Sequence, residues 1–314
     1  MTAPLLSVVL PTHNRSDWLD RAATSVLSQD VDRLELIIVD DASTDQTPAV
    51  TERLERDPRV RVVRNSQPLG PGGSRNRGIA KAEGDLLGFC DDDDAWLPGA
   101  AAVVLEQFDH DPSVGVVTSW HQVVHERTGH TAIYRGPLSY GAEQLLWYNL
   151  VALPFGVIRR ANFPEGVMVD PDLPSCEDWD LWLRCACSSP IRTVPHVLYA
   201  YHQHSRERVT REGSGDRIGR QRFLDKHAGT MTPACRVYHE LVIAQLSGGR
   251  TAIRRELTAH ARTPMAALAA AAVLAGGAAA SAAGNRRSDP GLAARMMARL
   301  THGRATAPSS AAAE

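Results

Sequence analysis

Between Leu5 and Ser119 the chain alternates short apolar, β-branched runs with segments of helical periodicity, and few folds accept that alternation. The first run is Leu5 to Leu10, closed by Pro11. A polar loop, Thr12-His13-Asn14-Arg15, follows it. Ser16-Asp17 opens a helix to about Ser28, with Trp18, Leu19, Ala22, Val26 and Leu27 as its apolar face. Leu34 to Val39 is the second strand and ends in the polar stretch Asp40-Asp41-Ala42-Ser43-Thr44-Asp45. A helix from Thr47-Pro48 to about Arg56, a strand from Val60 to Val63, and a helix beginning near Ser74-Arg75-Asn76 lead to the strand Leu86 to Cys90. Four strands separated by helices imply right-handed crossovers, so the expected fold class is α/β, a mostly parallel sheet flanked by helices.

Four consecutive carboxylates, Asp91-Asp92-Asp93-Asp94, stand at the carboxyl end of the fourth strand, with Trp96-Leu97-Pro98 behind them. Ligands of open α/β sheets bind at that edge. So much negative charge beside a core strand is costly unless a cation compensates it. Oxygen ligands from Asp91 and Asp93 suit Mg²⁺ or Mn²⁺ holding a diphosphate. The competing expectation is an acidic loop that caps the next helix, Gly99 to His110, with Pro98 in its first turn.

With 314 residues, 43% of them hydrophobic, the chain is long enough for one large domain with additions, or for two. Its net charge of -2 gives no global drive toward nucleic acid. The five cysteines form no CxxC pair, which speaks against a zinc knuckle or disulfide scaffold and for a reducing compartment. Met1 to Pro4 carries no signal-peptide pattern, so the expected location is cytoplasmic.

After a strand from Val114 to Ser119, the alternation from Trp120 to about Arg135 predicts a hairpin around Thr128-Gly129. Tyr140 to Asn149 reads as helix and Phe155 to Ile158 as strand. Ser175-Cys176-Glu177-Asp178 reads as a helix start, Val194 to Tyr201 as the last strand, and the chain from about Gly213 as helical. The expected division is a lobe over 1–119, a second over 120–212, a helical extension over 213–304 and a tail over 305–314.

Five pieces in order resemble the inverting glycosyltransferases of family 2, which have the GT-A fold. They are Ser7 to Arg15, Leu36 to Asp45, Gly73-Ser74-Arg75-Asn76-Arg77-Gly78-Ile79, Asp91 to Asp94, and Glu177-Asp178-Trp179-Asp180-Leu181-Trp182-Leu183-Arg184. No GxGxxG fingerprint is present, which disfavours an oxidoreductase of similar layout. The resemblance implies that Pro11, Thr12, His13 and Asn14 form the first nucleoside loop. His13 stands where an aromatic often stacks on uracil, and Asp41 accepts a hydrogen bond from the base, while Asp40 ties the loop. Arg75 is implied near the nucleotide's phosphates or base, or in a salt bridge to the acid cluster. Asp91 and Asp93 fall on the D-x-D positions, with Asp93 the leading metal ligand and Mg²⁺ or Mn²⁺ the implied ion. Asp92 faces the sugar or points away, and Asp94 caps a helix or binds donor hydroxyls. Asp178 is implied as the base that deprotonates the acceptor and Glu177 as its neighbour toward acceptor or helix start; two acids serving only the helix dipole is the plain alternative. Trp179 and Trp182 are expected in the core. His204 stands where a family His meets diphosphate or metal, with His202 as a competitor.

From Arg250 to Arg304 there are nine Arg and no Lys, around the Ala-rich stretch Met265 to Gly284. That stretch is an interfacial helix at the inner face of the membrane, a helix packed on the catalytic lobe, or disordered. The expected activity is metal-assisted, inverting transfer of a sugar from a nucleoside diphosphate, UDP first, to an acceptor hydroxyl on a small molecule, glycan, lipid-linked or peptide substrate. A sugar nucleotidyltransferase and a non-catalytic nucleotide-sugar-binding protein are the alternatives.

Overall fold

The computed structural model describes residues 5–149, 153–204 and 213–259. The first half follows β1 (Leu6–Thr12), α1 (Ser16–Leu27), β2 (Leu34–Asp40), α2 (Thr47–Leu54), β3 (Val60–Arg64), α3 (Gly70–Ile79), β4 (Leu86–Phe89), β5 (Ala95–Trp96) and α4 (Ala100–His110). Then come β6 (Val116–His125), β7 (Thr131–Tyr134), β8 (Ser139–Tyr140), α5 (Ala142–Trp147), β9 (Gly156–Arg159), α6 (Glu177–Ser188), β10 (Ile191–Gln203), α7 (Gly213–His227) and α8 (Pro233–Ala259).

Among the described residues ten strands form one sheet, whose main path is β3-β2-β1-β4-β9-β6-β10-β5. The first four are parallel, with Thr12 opposite Asp40 and Val9 opposite Phe89, so the loops after β1, β2 and β4 leave by one edge. β9 enters antiparallel between β4 and β6. The predicted hairpin is β6 and β7, whose pairing reaches Val124 opposite Thr131.

The two faces of the sheet follow from strand alternation. Leu6, Val8, Leu10, Leu36 and Ile38 turn to one face and join Leu19, Ala22, Ala23 and Val26 of α1 and Ala100, Ala101, Val104 and Phe108 of α4 in a single core. Val9 and Val39 turn to the other, where α3 lies so close that a Cβ on Gly78 would stand 2.4 Å from Val9 Cγ1. Trp182 of α6 covers Gly156 of β9, with 2.4 Å between its ring and the missing Cβ. Phe155 and Val157 belong to the first core, so Gly156 faces the opposite way, and α3 and α6 share the second face.

Several sequence expectations shift. β1 continues through Pro11 to Thr12; Pro11 lies beyond the last β4 pair, where its missing N–H costs that ladder nothing. α3 begins at Gly70 rather than near Ser74. The acid run does not lead into a helix: β5 comes first, pairing antiparallel with Tyr199 and Ala200 of β10, and α4 starts after a left-handed Gly99. Residues 119 and 120 both lie inside β6.

Among the described residues, those up to Leu145 with those from Asn149 to Gly219 form one compact unit, and Leu146–Tyr148 with those from Arg220 onward a second. The sheet and all the expected site residues belong to the first. Within the second, His239 Nε2 lies 2.8 Å from the Leu146 carbonyl oxygen and so donates to it. Burial holds that imidazole down at about 3, hence neutral. The Ala-rich stretch from Met265 and the tail lie outside the described residues, and among those described no helix is long and apolar enough to cross a membrane.

Gly156→Ala forces a methyl into a fully buried indole, and overpacking of this kind costs about 1–3 kcal/mol. Urea unfolding is expected to show a lower midpoint at unchanged slope.

Candidate functional site

The loop after β1 is stitched to the loop after β2. Asn14 is left-handed at φ 53°. Its Oδ1 accepts the Thr44 N–H at 2.8 Å and the Asp45 N–H at 3.3 Å. His13 Nδ1 sits 2.6 Å from the Asp41 carbonyl oxygen. A carbonyl only accepts, so Nδ1 carries the proton, and Nε2 accepts from the Asn14 amide at 3.0 Å. His13 is exposed, Pro11 half-buried and Thr12 buried, with the Thr12 carbonyl accepting the Asp41 N–H at 2.9 Å. Asp40 ties its loop as expected, its Oδ1 accepting the Ser43 N–H at 3.0 Å.

Asp41 holds the start of α3. Its Oδ1 accepts from Asn65 Nδ2 at 2.7 Å and from the Leu69 N–H at 2.8 Å. Its Oδ2 accepts the Gly70 N–H at 2.8 Å. The carboxylate therefore satisfies donors at a helix N-terminus, where its charge is also favoured.

Beyond β4 the four acids fold into a tight turn, closed by the Asp94 N–H donating to the Asp91 carbonyl at 3.1 Å. Oxygens of Asp91, Asp93 and Asp94 lie within 4.8 Å of one another. Asp92, Asp93 and Asp94 are buried and Asp91 is half-buried. Three carboxylates at that spacing form an all-oxygen set that fits a hard divalent ion such as Mg²⁺ or Mn²⁺. Asp94 is no helix cap; its Oδ1 accepts the His202 N–H at 3.0 Å, which fixes the turn to the end of β10. Asp92 turns to Arg15, at 3.2 Å. Burial pushes its carboxyl up to about 7, against the pull of Arg15 and with Asp93 adding to the rise.

Of the two imidazoles, His204 faces the acids. Its Nε2 is 2.9 Å from Asp93 Oδ2, so it touches the triad through Asp93, whereas His202 has its ring 3.5 Å from Glu126. Arg15 Nη1 reaches the same Asp93 oxygen at 2.7 Å. Trp18, expected on the apolar face of α1, instead lies half-buried between His204 and Arg15. Its ring is 4.0 Å from that of His204 and 5.4 Å from the Arg15 guanidinium carbon.

The second group of acids opens α6 after a left-handed Cys176, φ 65°. Asp178 is half-buried; its Oδ1 accepts the Trp179 N–H at 2.7 Å and its Oδ2 accepts from Asn149 Nδ2 at 2.9 Å. Burial, then the charge of Glu177, push its carboxyl up to about 7, so it exchanges a proton near neutrality. Trp179 and Trp182 are buried in the core, as expected.

Arg75 joins the two groups. From α3 its Nη2 donates to Asp91 at 2.7 Å and its Nη1 to Glu177 at 3.0 Å. Burial works to lower its pKa, but Asp91 and Glu177 more than offset that, and the guanidinium stays charged. One side chain thus brings the acid turn and the start of α6 to a common edge, although 86 residues separate Asp91 from Glu177 in the chain. Sequence reasoning missed Arg15, Trp18 and Asn149. Arg15 did carry a signal, a cation in a loop at the same sheet edge as four acids. Asn149 carried none, because a lone amide after a helix marks no site.

The family model Glycosyl transferase family 2 matches residues 7–159. An uncharacterized protein of Mycobacterium tuberculosis is 30% identical over 244 residues, 70% of this chain and 75% of that one. The GalNAc(5)-diNAcBac-PP-undecaprenol beta-1,3-glucosyltransferase of Campylobacter jejuni is 39% identical over 106 residues, 33% of this chain and 34% of that one. Among solved structures, S. aureus TarS 1-349 in complex with UDP-GlcNAc superposes with TM-score 0.61 at 18% identity, over 96% of this chain and 92% of that one. The mannosyltransferase PcManGT from Pyrobaculum calidifontis, in complex with GDP-Man and Mn²⁺, does so with TM-score 0.60 at 21% identity, over 96% and 87%. At these identities the structural likeness establishes the fold, that of GT-A glycosyltransferases. With the family model and the relatives taken together, the chain belongs to glycosyl transferase family 2 and is a glycosyltransferase.

Proposed function

We propose that this enzyme transfers a sugar from a nucleoside diphosphate, with UDP the leading nucleotide, to an acceptor hydroxyl with inversion at the anomeric carbon, assisted by Mg²⁺ or Mn²⁺. The observation that carries the reading is the Arg75 fork, which sets the acid turn and the Glu177-Asp178 pair on either side of one buried cation. Transfer requires such a pair of stations, one for the leaving diphosphate and one for the incoming hydroxyl.

On the donor side, Asp91, Asp93 and Asp94 would hold the divalent ion, which supplies charge neutralisation for the leaving diphosphate. The loop carrying His13 and the segment held by Asp41 flank the same edge and would receive the nucleoside. Arg75, kept charged by two acids, stands where a guanidinium can face developing phosphate charge. On the acceptor side, Asp178 takes the hydroxyl proton as the oxygen attacks the anomeric carbon from the face opposite the nucleotide. Its carboxyl, held near 7, matches that task, and Asn149 fixes one of its oxygens.

The solved neighbours hold UDP-GlcNAc in one case and GDP-Man in the other. UDP is favoured here because a flat ring, that of His13, stands exposed where the resemblance places uracil. The relative named for a diphospho-undecaprenol substrate supports a lipid-linked acceptor, although this chain spans only a third of that protein.

Calorimetric titration with UDP, GDP and dTDP, each with and without Mn²⁺, tests the donor side. One nucleotide is expected to bind tightly, only with metal, and at least tenfold more weakly to Asp93→Asn; binding that ignores both metal and Asp93 would refute the reading. Asp178→Asn tests the acceptor side, with kcat expected to fall about 10²–10⁴-fold while nucleotide affinity holds. Because the base works ionised and its pKa is raised to about 7, kcat/KM in the parent enzyme should fall about tenfold per pH unit below 7 and level off above it. NMR of the product's anomeric configuration decides between inversion and retention.

A further inference from the structure

We infer that Arg15 is a built-in countercation of the acid turn, one that a divalent ion must compete with at Asp93, so that this side chain sets how tightly the metal is held. The inference rests on the proposed metal site at Asp91, Asp93 and Asp94. Arg15 Nη1 lies 2.7 Å from Asp93 Oδ2 and 3.2 Å from Asp92 Oδ1, and both carboxylates are buried. A second donor, His204 Nε2, shares that Asp93 oxygen at 2.9 Å. The oxygen already receives two protein donors, and charge on Asp93 serves the guanidinium and an incoming ion alike.

The position of Arg15 is fixed from three sides. Its carbonyl accepts the Trp18 and Leu19 N–H groups at 3.1 Å each, its own N–H donates to Thr47 Oγ1 at 3.2 Å, and its guanidinium rests over the Trp18 ring. The same ring lies tilted against that of His204, so one indole abuts both donors to Asp93. The arrangement neutralises the turn before a metal arrives. It also means that metal binding works against a unit positive charge a few ångströms away.

Sign separates this role from a merely structural one. If Arg15 competes with the ion, removing its charge tightens metal binding. If it only organises the carboxylates, removing it loosens binding. Coulomb's law for a single and a double charge roughly 5 Å apart in an aqueous dielectric gives an effect on the order of tenfold.

Mn²⁺ alone is titrated calorimetrically, at low salt, into the full chain and into Arg15→Gln, Asp92→Asn and the double variant. Arg15→Gln is expected to bind Mn²⁺ about tenfold more tightly than the parent, Asp92→Asn more weakly, and the double variant between the two. Saturating Mn²⁺ should also raise the melting temperature of Arg15→Gln more than that of the parent. Should Arg15→Gln fail to fold without metal, the double variant against Asp92→Asn gives the same comparison and the same expected tightening. A parent that binds no Mn²⁺ overturns the metal site and this inference with it. A parent that binds, with equal or weaker binding on loss of Arg15, overturns the role of Arg15 alone.

Discussion

Like charges at the sheet edge are the constraint on which the site depends. Five carboxylates, Asp91 to Asp94 and Glu177, gather where β4 and α6 present their ends, and several of them are buried. Two unit charges 4 Å apart repel by roughly 1 kcal/mol in water and about 4 near a protein surface, so such a cluster does not close by itself. Arg75 closes it from beneath by binding Asp91 and Glu177 at once. Its reach depends in turn on α3 lying hard against β1, and that approach depends on Gly78 having no side chain where Val9 and Val39 stand.

Helix α3 is therefore the member that registers the two halves of the site, and it is pinned at three places. Asp41 takes the N–H groups of Leu69 and Gly70 at its beginning. Arg75 ties its middle to both acid groups. The neighbouring Asn76 grips the backbone of Val169, donating to its carbonyl at 2.7 Å and accepting its N–H at 2.8 Å, as a strand partner would. The segment that leads to Asp178 is thus fastened to the same helix that faces the acid turn. A shift of α3 would move both stations together, which keeps their separation constant while allowing little independent motion.

What could be read from the sequence was whatever depends on neighbours in the chain. The alternation of β1, α1, β2 and α2 was legible because burying a parallel strand on both faces demands an unbroken apolar run. The edge carrying the acid turn followed from topology, and the run Asp91 to Asp94 and the pair Glu177-Asp178 stood out as ordered motifs. What escaped was set by long-range pairing. β9 could be read as a strand, but nothing local told that it inserts antiparallel between β4 and β6. β5 is two residues long and exists through its pairing with β10, so Asp94 looked like a helix cap. Trp18 fell on the apolar stripe of α1 by periodicity, yet the buried stripe begins only at Leu19, and the indole turns toward Arg15 and His204 instead. The contacts of Asp41 escaped for the same reason: three of its acceptor positions hold donors from Asn65, Leu69 and Gly70.

The charges of the acid turn are answered by protein groups on every side: Arg75 at Asp91, Arg15 at Asp92 and Asp93, His204 at Asp93, and the His202 N–H at Asp94. A cluster compensated in this way holds its shape without an ion, unlike a structural metal site whose ligands come together only on binding. Preformed ligands lose little freedom when an ion arrives, so more of the interaction remains for the charge that develops on a leaving group. The same compensation limits affinity, because each internal cation weakens the field that an incoming one meets. On the proposed reading, a site built so favours an exchangeable ion over one held permanently, which suits an edge that would release a diphosphate after every turnover.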